Sequence, residues 1–381
     1  MKINPFLTEQ FFSEYEFTSP HMLASSDCET LSIQAVLEMA GATLADLADV
    51  TLGYTESQGN PELRALIATM YSEVRSEDVV VLTSPVEGIY LAMQTLLEPG
   101  DEVVALRPAY DALTNVARHV CHRVVPWDFI PTEKSWALDF DHLEALITDQ
   151  TKMIVVNFPH NPTGFLPTEN QFAKLVSIAE RHGVWLFCDE IYRGLEFGQA
   201  IPSAADVYEK SNTLSGLSKT YGLPGLRAGW VVIRDSKMRD ELINWKHYTT
   251  ICPAAPTEFL AIHAIKIRNQ LADRSKSIIQ GNLKLCDEFF SHHHDLFTWR
   301  PPIAGSVGFA ELNLDEFGFG SATEYCHYLA KQRGVVLLPG ECLGYADRFV
   351  RLGLGRKSFE SALHAFAQVL RQDGNGTRNK I

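Results

Sequence analysis

The sequence has no run of apolar residues near the roughly twenty needed to cross a bilayer as a helix, so no membrane is expected as a partner. Its opening residues, Met1-Lys2-Ile3-Asn4-Pro5, show no basic segment followed by an apolar stretch. No secretory leader is therefore apparent, and a cytoplasmic location is the expectation. Cysteine is sparse and scattered: seven in 381 residues, none in a C-x-x-C pair. That excludes a disulfide scaffold or zinc ribbon and suggests reduced thiols. Positive charge is also short, with 33 Lys and Arg against 47 Asp and Glu and a net charge of −14. A nucleic-acid binder needs a basic face, and the first 45 residues hold no basic helix-turn-helix pattern, so no nucleic acid is expected. The cluster His292-His293-His294 is not a metal site by spacing, because three consecutive side chains do not converge on one ion and no further ligand follows. Neither an internal repeat nor a low-complexity segment is present.

What is present is enough chain for two domains of about 100–200 residues each. Near-continuous apolar runs at 79–83, 102–106, 124–125, 153–157 and 184–188 alternate with amphipathic stretches at 85–98, 111–119, 141–147 and 168–182. This alternation predicts an α/β fold whose mostly parallel sheet is covered on both faces, with ligands collecting at the carboxyl ends of the strands. The expected division is an arm at 1–45, a large domain at 46–274 and a smaller α+β domain at 275–381. A long helix starting near Thr257 joins the last two, and the tail from Gly374 to Lys380 is expected to be disordered. Asn60 before Pro61 looks like a helix cap with proline at the first helical position. Ser84 to Glu87 fits a capping box, while the same strand–turn–helix layout offers free N–H groups to a phosphate. Ser25-Ser26-Asp27 fits a helix cap.

The run from Leu214 to Trp230 places Lys219 and Arg227 among small residues. A lysine whose pKa is depressed by burial or nearby cations becomes a Schiff-base nucleophile, and an arginine can clamp a phosphate. A Gly/Ser-rich surface loop with two solvated cations fits the same letters. The run resembles the lysine signature of class I/II aminotransferases, pyridoxal-phosphate enzymes of fold type I, with Gly216, Ser218, Lys219, Gly222, Gly225, Arg227 and Gly229 all in place. Asn161-Pro162-Thr163-Gly164, Asp189-Glu190-Ile191-Tyr192 and Arg351 resemble further motifs of the family, in the family's order.

The resemblance implies pyridoxal 5'-phosphate as cofactor, a seven-stranded sheet and a homodimer. Lys219, Asp189 and Tyr192 would be catalytic. Lys219 would form the Schiff base, Asp189 would face the ring nitrogen, Asn161 and Tyr192 would share the phenolic oxygen, and Tyr110 would stack on the ring. Ser218, Arg227, the amides of Val86 and Glu87, and Tyr54 from the neighbouring subunit would hold the phosphate. Arg351, beside Asn161, would grip the substrate carboxylate. Pro85 departs from the family's glycine-containing turn and removes one N–H donor, and Gly216, though it fits the signature, stands where many members carry a hydroxyl residue that would contact the phosphate. The implied reaction moves an amino group from an amino acid to a 2-oxo acid. The alternative is β-elimination, β-replacement or cyclisation of a modified amino acid. In the runs 156–164 and 219–227 the chain is also similar to the capreomycidine synthases, which cyclise a hydroxylated arginine, and Asp27 and Glu29 would suit a basic side chain.

Overall fold

The computed structural model describes residues 3–121 and 123–377. After helix α1 (Leu7–Tyr15) come β1 (Val79–Leu82), α2 (Pro85–Leu96), β2 (Glu102–Arg107), α3 (Asp111–Val120), β3 (Arg123–Asp128), β4 (Thr151–Asn157), β5 (Trp185–Asp189), β6 (Ser211–Gly216) and β7 (Gly229–Val232). These seven strands form one sheet in the order β1-β7-β6-β5-β4-β2-β3. Strand β7 runs antiparallel to β1 and β6, and the other neighbours are parallel. Side chains alternate across the sheet, so Val103 and Ala105 join one buried cluster while Val104 and Leu106 join the other. Both faces are covered, which is why these strands read as unbroken apolar runs.

Two helices, Ser236–His247 and Ala255–Lys266, lead to α4 (Arg268–His292). The single long helix expected from Thr257 is broken at Ile267, whose ψ of 17° leaves the helical range. A second sheet follows, made of β8 (Phe297–Thr298), β9 (Val307–Leu312), β10 (Leu338–Pro339) and β11 (Phe349–Gly353), antiparallel throughout in the order β8-β9-β11-β10. Helix α5 (Phe359–Thr377) ends the described chain. The expected disorder from Gly374 onward is therefore corrected over residues 374–377, which continue that helix, while Arg378 to Lys380 lie outside the described residues.

The amino-terminal segment is woven into the second sheet's region. His21–Met22 pairs in parallel with Val335–Val336. Residues 25–29 then lie directly on glycine backbone. A Cβ on Gly353 would stand 1.6 Å from Ser25 O, one on Gly355 2.4 Å from Asp27 O, and one on Gly222 2.7 Å from Glu29 O. The helix cap expected at Ser25-Ser26-Asp27 is not there; Ser32 caps the next helix instead, and Asp27 pairs with Arg356.

This close approach predicts that Gly353→Ala destabilises the protein by roughly 2–3 kcal/mol, since backbone has to move to admit the methyl group. Urea titration checks it, and an unchanged midpoint would contradict the packing described.

Candidate active site

The carboxyl ends of β4, β5 and β6, the amino end of α2, residues 25–27 and Arg351 of β11 surround a cavity of about 570 Å³, and α1 lies along its rim. Lys219 sits just beyond β6, and its Nζ donates a hydrogen bond to Ser26 Oγ at 2.9 Å. Burial lowers the Lys219 pKa, and the Arg351 cation lowers it further, against the pull of Asp27. Asp189 is the last residue of β5. Burial raises its carboxyl to about 7, although the Ile191 N–H donates to Oδ1 at 3.0 Å and Lys219 adds positive charge nearby.

Asn157 ends β4 opposite Asp189 in register. Its Nδ2 donates to Asp189 O at 2.7 Å, and its Oδ1 accepts the Asn161 N–H at 2.8 Å. One side-chain amide thus fixes both the end of β5 and the turn that presents Asn161. Asn161 Oδ1 accepts from Arg351 Nη1 at 3.2 Å, and Arg351 Nη2 donates to Ala24 O at 2.8 Å. The Arg351 side chain is 1% exposed, yet its Nε has no hydrogen-bond partner. Arg351 lines the cavity, and a buried guanidinium with an unused donor is suited to an incoming carboxylate. Tyr192 is buried in the same wall, and burial pushes its hydroxyl pKa up.

At the other end, Ser84, Pro85, Val86, Ser218 and Arg227 line the cavity. Val86 holds the second position of α2, where a backbone amide has no partner within the helix. Arg227 has φ of 53°, one of two non-glycine residues in that region among the described residues, and donates from Nη1 to Pro224 O at 2.9 Å. Such a conformation is held only where the surroundings enforce it. The two departures from the family pattern also meet here: a Cβ on Gly216 would stand 2.7 Å from Pro85 Cγ. The Pro85 ring occupies the space a larger residue at 216 would need.

Two expectations change, those for Glu87 and Glu29. The Glu87 amide is taken by Ser84, with its N–H 3.1 Å from Ser84 O and 3.4 Å from Ser84 Oγ, and Glu87 does not line the cavity. Its carboxylate turns away to the Thr83 N–H at 2.8 Å and the hydroxyls of Thr249 and Thr250, so the capping box is only half formed. Tyr54, expected to act from the neighbouring subunit, lies outside its own protomer's cavity, 90% exposed. Glu29 also stays out of the cavity and accepts the Lys357 N–H at 2.9 Å. Tyr110 does line it, and its hydroxyl donates to Glu9 Oε1 at 2.9 Å. Sequence reading assigned no role to Asn157, Glu9 or Glu16 and gave Ser26 only a place in the expected helix cap; all four line the cavity. For Asn157 there was a signal, an asparagine at a strand end four residues before the Asn-Pro turn.

The donor set fits pyridoxal phosphate. Arg227, two serines and a helix amino end suit a phosphate dianion, Asp189 leaves Oδ2 for a ring nitrogen, and Lys219 is a half-buried amine whose pKa is lowered.

Between about pH 4 and 7 the folded, cofactor-free chain holds the Asp189 proton more tightly than the unfolded chain does, so this group's effect is to lower stability as pH rises through that window. Wild type should therefore lose stability relative to Asp189→Asn from pH 4 to 7. Urea titrations of both cofactor-free proteins across that range check the sign, and parallel curves would contradict it.

Comparison with known proteins agrees with this geometry. The family model for aminotransferase class I and II matches residues 21–366. The capreomycidine synthase of Streptomyces vinaceus is 30% identical over 326 residues, covering 84% of this chain and 82% of that protein. The crystal structure of a PLP-dependent aminotransferase from Streptococcus suis superposes with a TM-score of 0.90 at 28% identity, covering 98% of this chain and 99% of that one. A PLP-dependent cyclase, OrfR, superposes with a TM-score of 0.88 at 26% identity, covering 98% of both chains. The chain belongs to the class I and II aminotransferase family, has the fold type I architecture, and takes pyridoxal 5'-phosphate as its cofactor.

Proposed function

We propose that the protein transfers an amino group from an amino acid to a 2-oxo acid. The observation that carries this reading is one cavity lined by Lys219, Asp189 and Arg351, whose guanidinium keeps an unpartnered Nε. Bound pyridoxal phosphate supplies an aldehyde that takes up the amino group and a ring that draws electrons from the substrate's α-carbon. Asp189 sets a negative charge against the ring nitrogen, Asn161 and Tyr192 serve the phenolic oxygen, and Tyr110 stacks on the ring. Arg227, Ser218 and the Val86 amide hold the phosphate. Arg351 orients the substrate through its α-carboxylate. Lys219 Nζ, its pKa lowered by burial, would take the proton from the substrate's α-carbon and return it to the carbon of the cofactor's former aldehyde.

The active unit in this reading is a homodimer of chains divided near residues 45 and 274, with the seven-stranded sheet in the large domain. Leu52, Tyr54 and Tyr248 are 83%, 90% and 83% exposed, and Thr55 Oγ1 ties the first loop to Pro253 O at 2.8 Å. Apolar side chains gathered in this way suit an interface with a second copy, through which Tyr54 reaches the phosphate of the other site. Sedimentation should give twice the chain mass, and a monomer at micromolar concentration would contradict this.

A second reading, elimination, replacement or ring closure at the β-carbon of a modified amino acid, is supported by the similarity to capreomycidine synthase and OrfR. It begins with the same proton removal and differs in whether the nitrogen stays behind.

Single turnovers of the cofactor-loaded protein with amino acids should leave the cofactor in its amine form with one equivalent of 2-oxo acid. Release of ammonia, water or a cyclised product without the amine form would favour the second reading. Lys219→Ala should lower turnover by about 10³-fold or more. Arg351→Lys should lower kcat/KM by roughly 100-fold, chiefly through KM.

A further inference from the structure

Lys246 has no part in the proposed reaction, yet its side chain is fully buried. It is the last but one residue of the helix Ser236–His247, and among the described residues its Nζ makes one hydrogen bond, to Ile251 O at 3.3 Å. Burial lowers its pKa, while the charges of Glu87, Cys252 and Glu258 pull the other way. An ammonium group taken out of water is unfavourable unless acceptors and opposite charges surround it, so its position calls for an explanation in what it holds.

It holds the segment that follows its own helix. Lys246 O accepts the N–H groups of Thr249 and Ile251, both at 3.0 Å, and Lys246 Nζ closes on Ile251 O from the other side. Ile251 is branched at its β-carbon and has φ of 65°, a conformation kept only where the surroundings enforce it. These reciprocal bonds enforce it. The loop so fixed turns two hydroxyls toward one carboxylate: Glu87 Oε1 accepts from Thr249 Oγ1 at 2.9 Å and from Thr250 Oγ1 at 2.6 Å. Glu87 Oε2 accepts the Thr83 N–H at 2.8 Å, which ties the end of β1 to the head of α2. Ser84, Pro85 and Val86 line the cavity, whereas Glu87, Lys246, Thr249 and Thr250 stand behind them and do not.

We propose that Lys246, acting through Thr249, Thr250 and Glu87, is a positioning residue for the cofactor phosphate. The clasp fixes residues 83–87 from behind, so the Val86 amide is aimed before the phosphate arrives, which lowers the entropy lost on binding. The assignment rests on the phosphate lying at the head of α2, as read above.

The test compares pyridoxal 5'-phosphate with pyridoxal, which lacks the phosphate, on the full chain freed of cofactor, each Kd being read by absorbance titration. Wild type should prefer the phosphorylated form. In the paired variant Thr249→Val, Thr250→Val, which keeps the side-chain shape and removes both hydroxyls, that preference should fall about tenfold. The Kd for pyridoxal should stay unchanged, and the phosphorus NMR resonance of the bound cofactor should move. Lys246→Met should act in the same direction; if it does not fold, the threonine pair, whose side chains are exposed and half-buried, decides alone. Equal weakening of both forms, or a lower urea midpoint with the preference intact, would overturn the proposal, since a role confined to stability gives no phosphate-dependent loss. Arg227→Ala separates the two levels of the argument. Loss of the preference there but not in the threonine pair overturns this assignment alone, and a preference kept in both overturns the reading of the phosphate end with it.

Discussion

Lys219 Nζ is held by one hydrogen bond from the protein, to Ser26 Oγ at 2.9 Å, in a place where burial and the Arg351 charge both work against its proton. An amine kept there is useful only if its partner is placed firmly, and Ser26 lies 193 residues earlier in the chain. It is fixed by its backbone, since Ser26 O accepts from Ser306 Oγ at 2.6 Å while the adjoining residues lie on Gly353, Gly355 and Gly222. Those glycines are required for the approach itself, because any side chain there would meet the carbonyls of Ser25, Asp27 or Glu29. The reactive amine thus depends on how the arm crosses the second sheet.

The same economy appears at the ends of β4 and β5. The Asp189 backbone carbonyl and the buried Arg351 guanidinium are linked through Asn157 and Asn161 in a chain of hydrogen bonds. Arg351 keeps one donor free. At the phosphate end, the Pro85 ring and the bare backbone of Gly216 and Gly229 fit against one another, with a Cβ on Gly229 standing 2.8 Å from Pro85 N. Two departures that look independent in the sequence form one packing unit in the fold.

The sheet was legible because its strands are buried on both faces and its helices carry their own caps, as at Ser84 and Asn60. Lys219, Asp189, Asn161 and Arg351 were legible because each lies in or beside a strand end with its motif contiguous in sequence. The contact of Ser26 with Lys219 was not, since it joins distant stretches of chain and the arm has no clean period. Glu87 shows how a local rule can point two ways: an amide offered as a phosphate donor is consumed by the cap that starts its helix. The break at Ile267 and the helical residues 374–377 were missed because neither a proline nor a periodic pattern marks them.

The account stands on Lys219 being the residue that carries the cofactor. Borohydride reduction of the cofactor-loaded protein, followed by peptide mass spectrometry, tests this directly. A phosphopyridoxyl mass on the peptide containing Lys219 alone is the predicted result. The same mass on Lys246, the other lysine whose pKa burial lowers, or on no lysine at all, would contradict it.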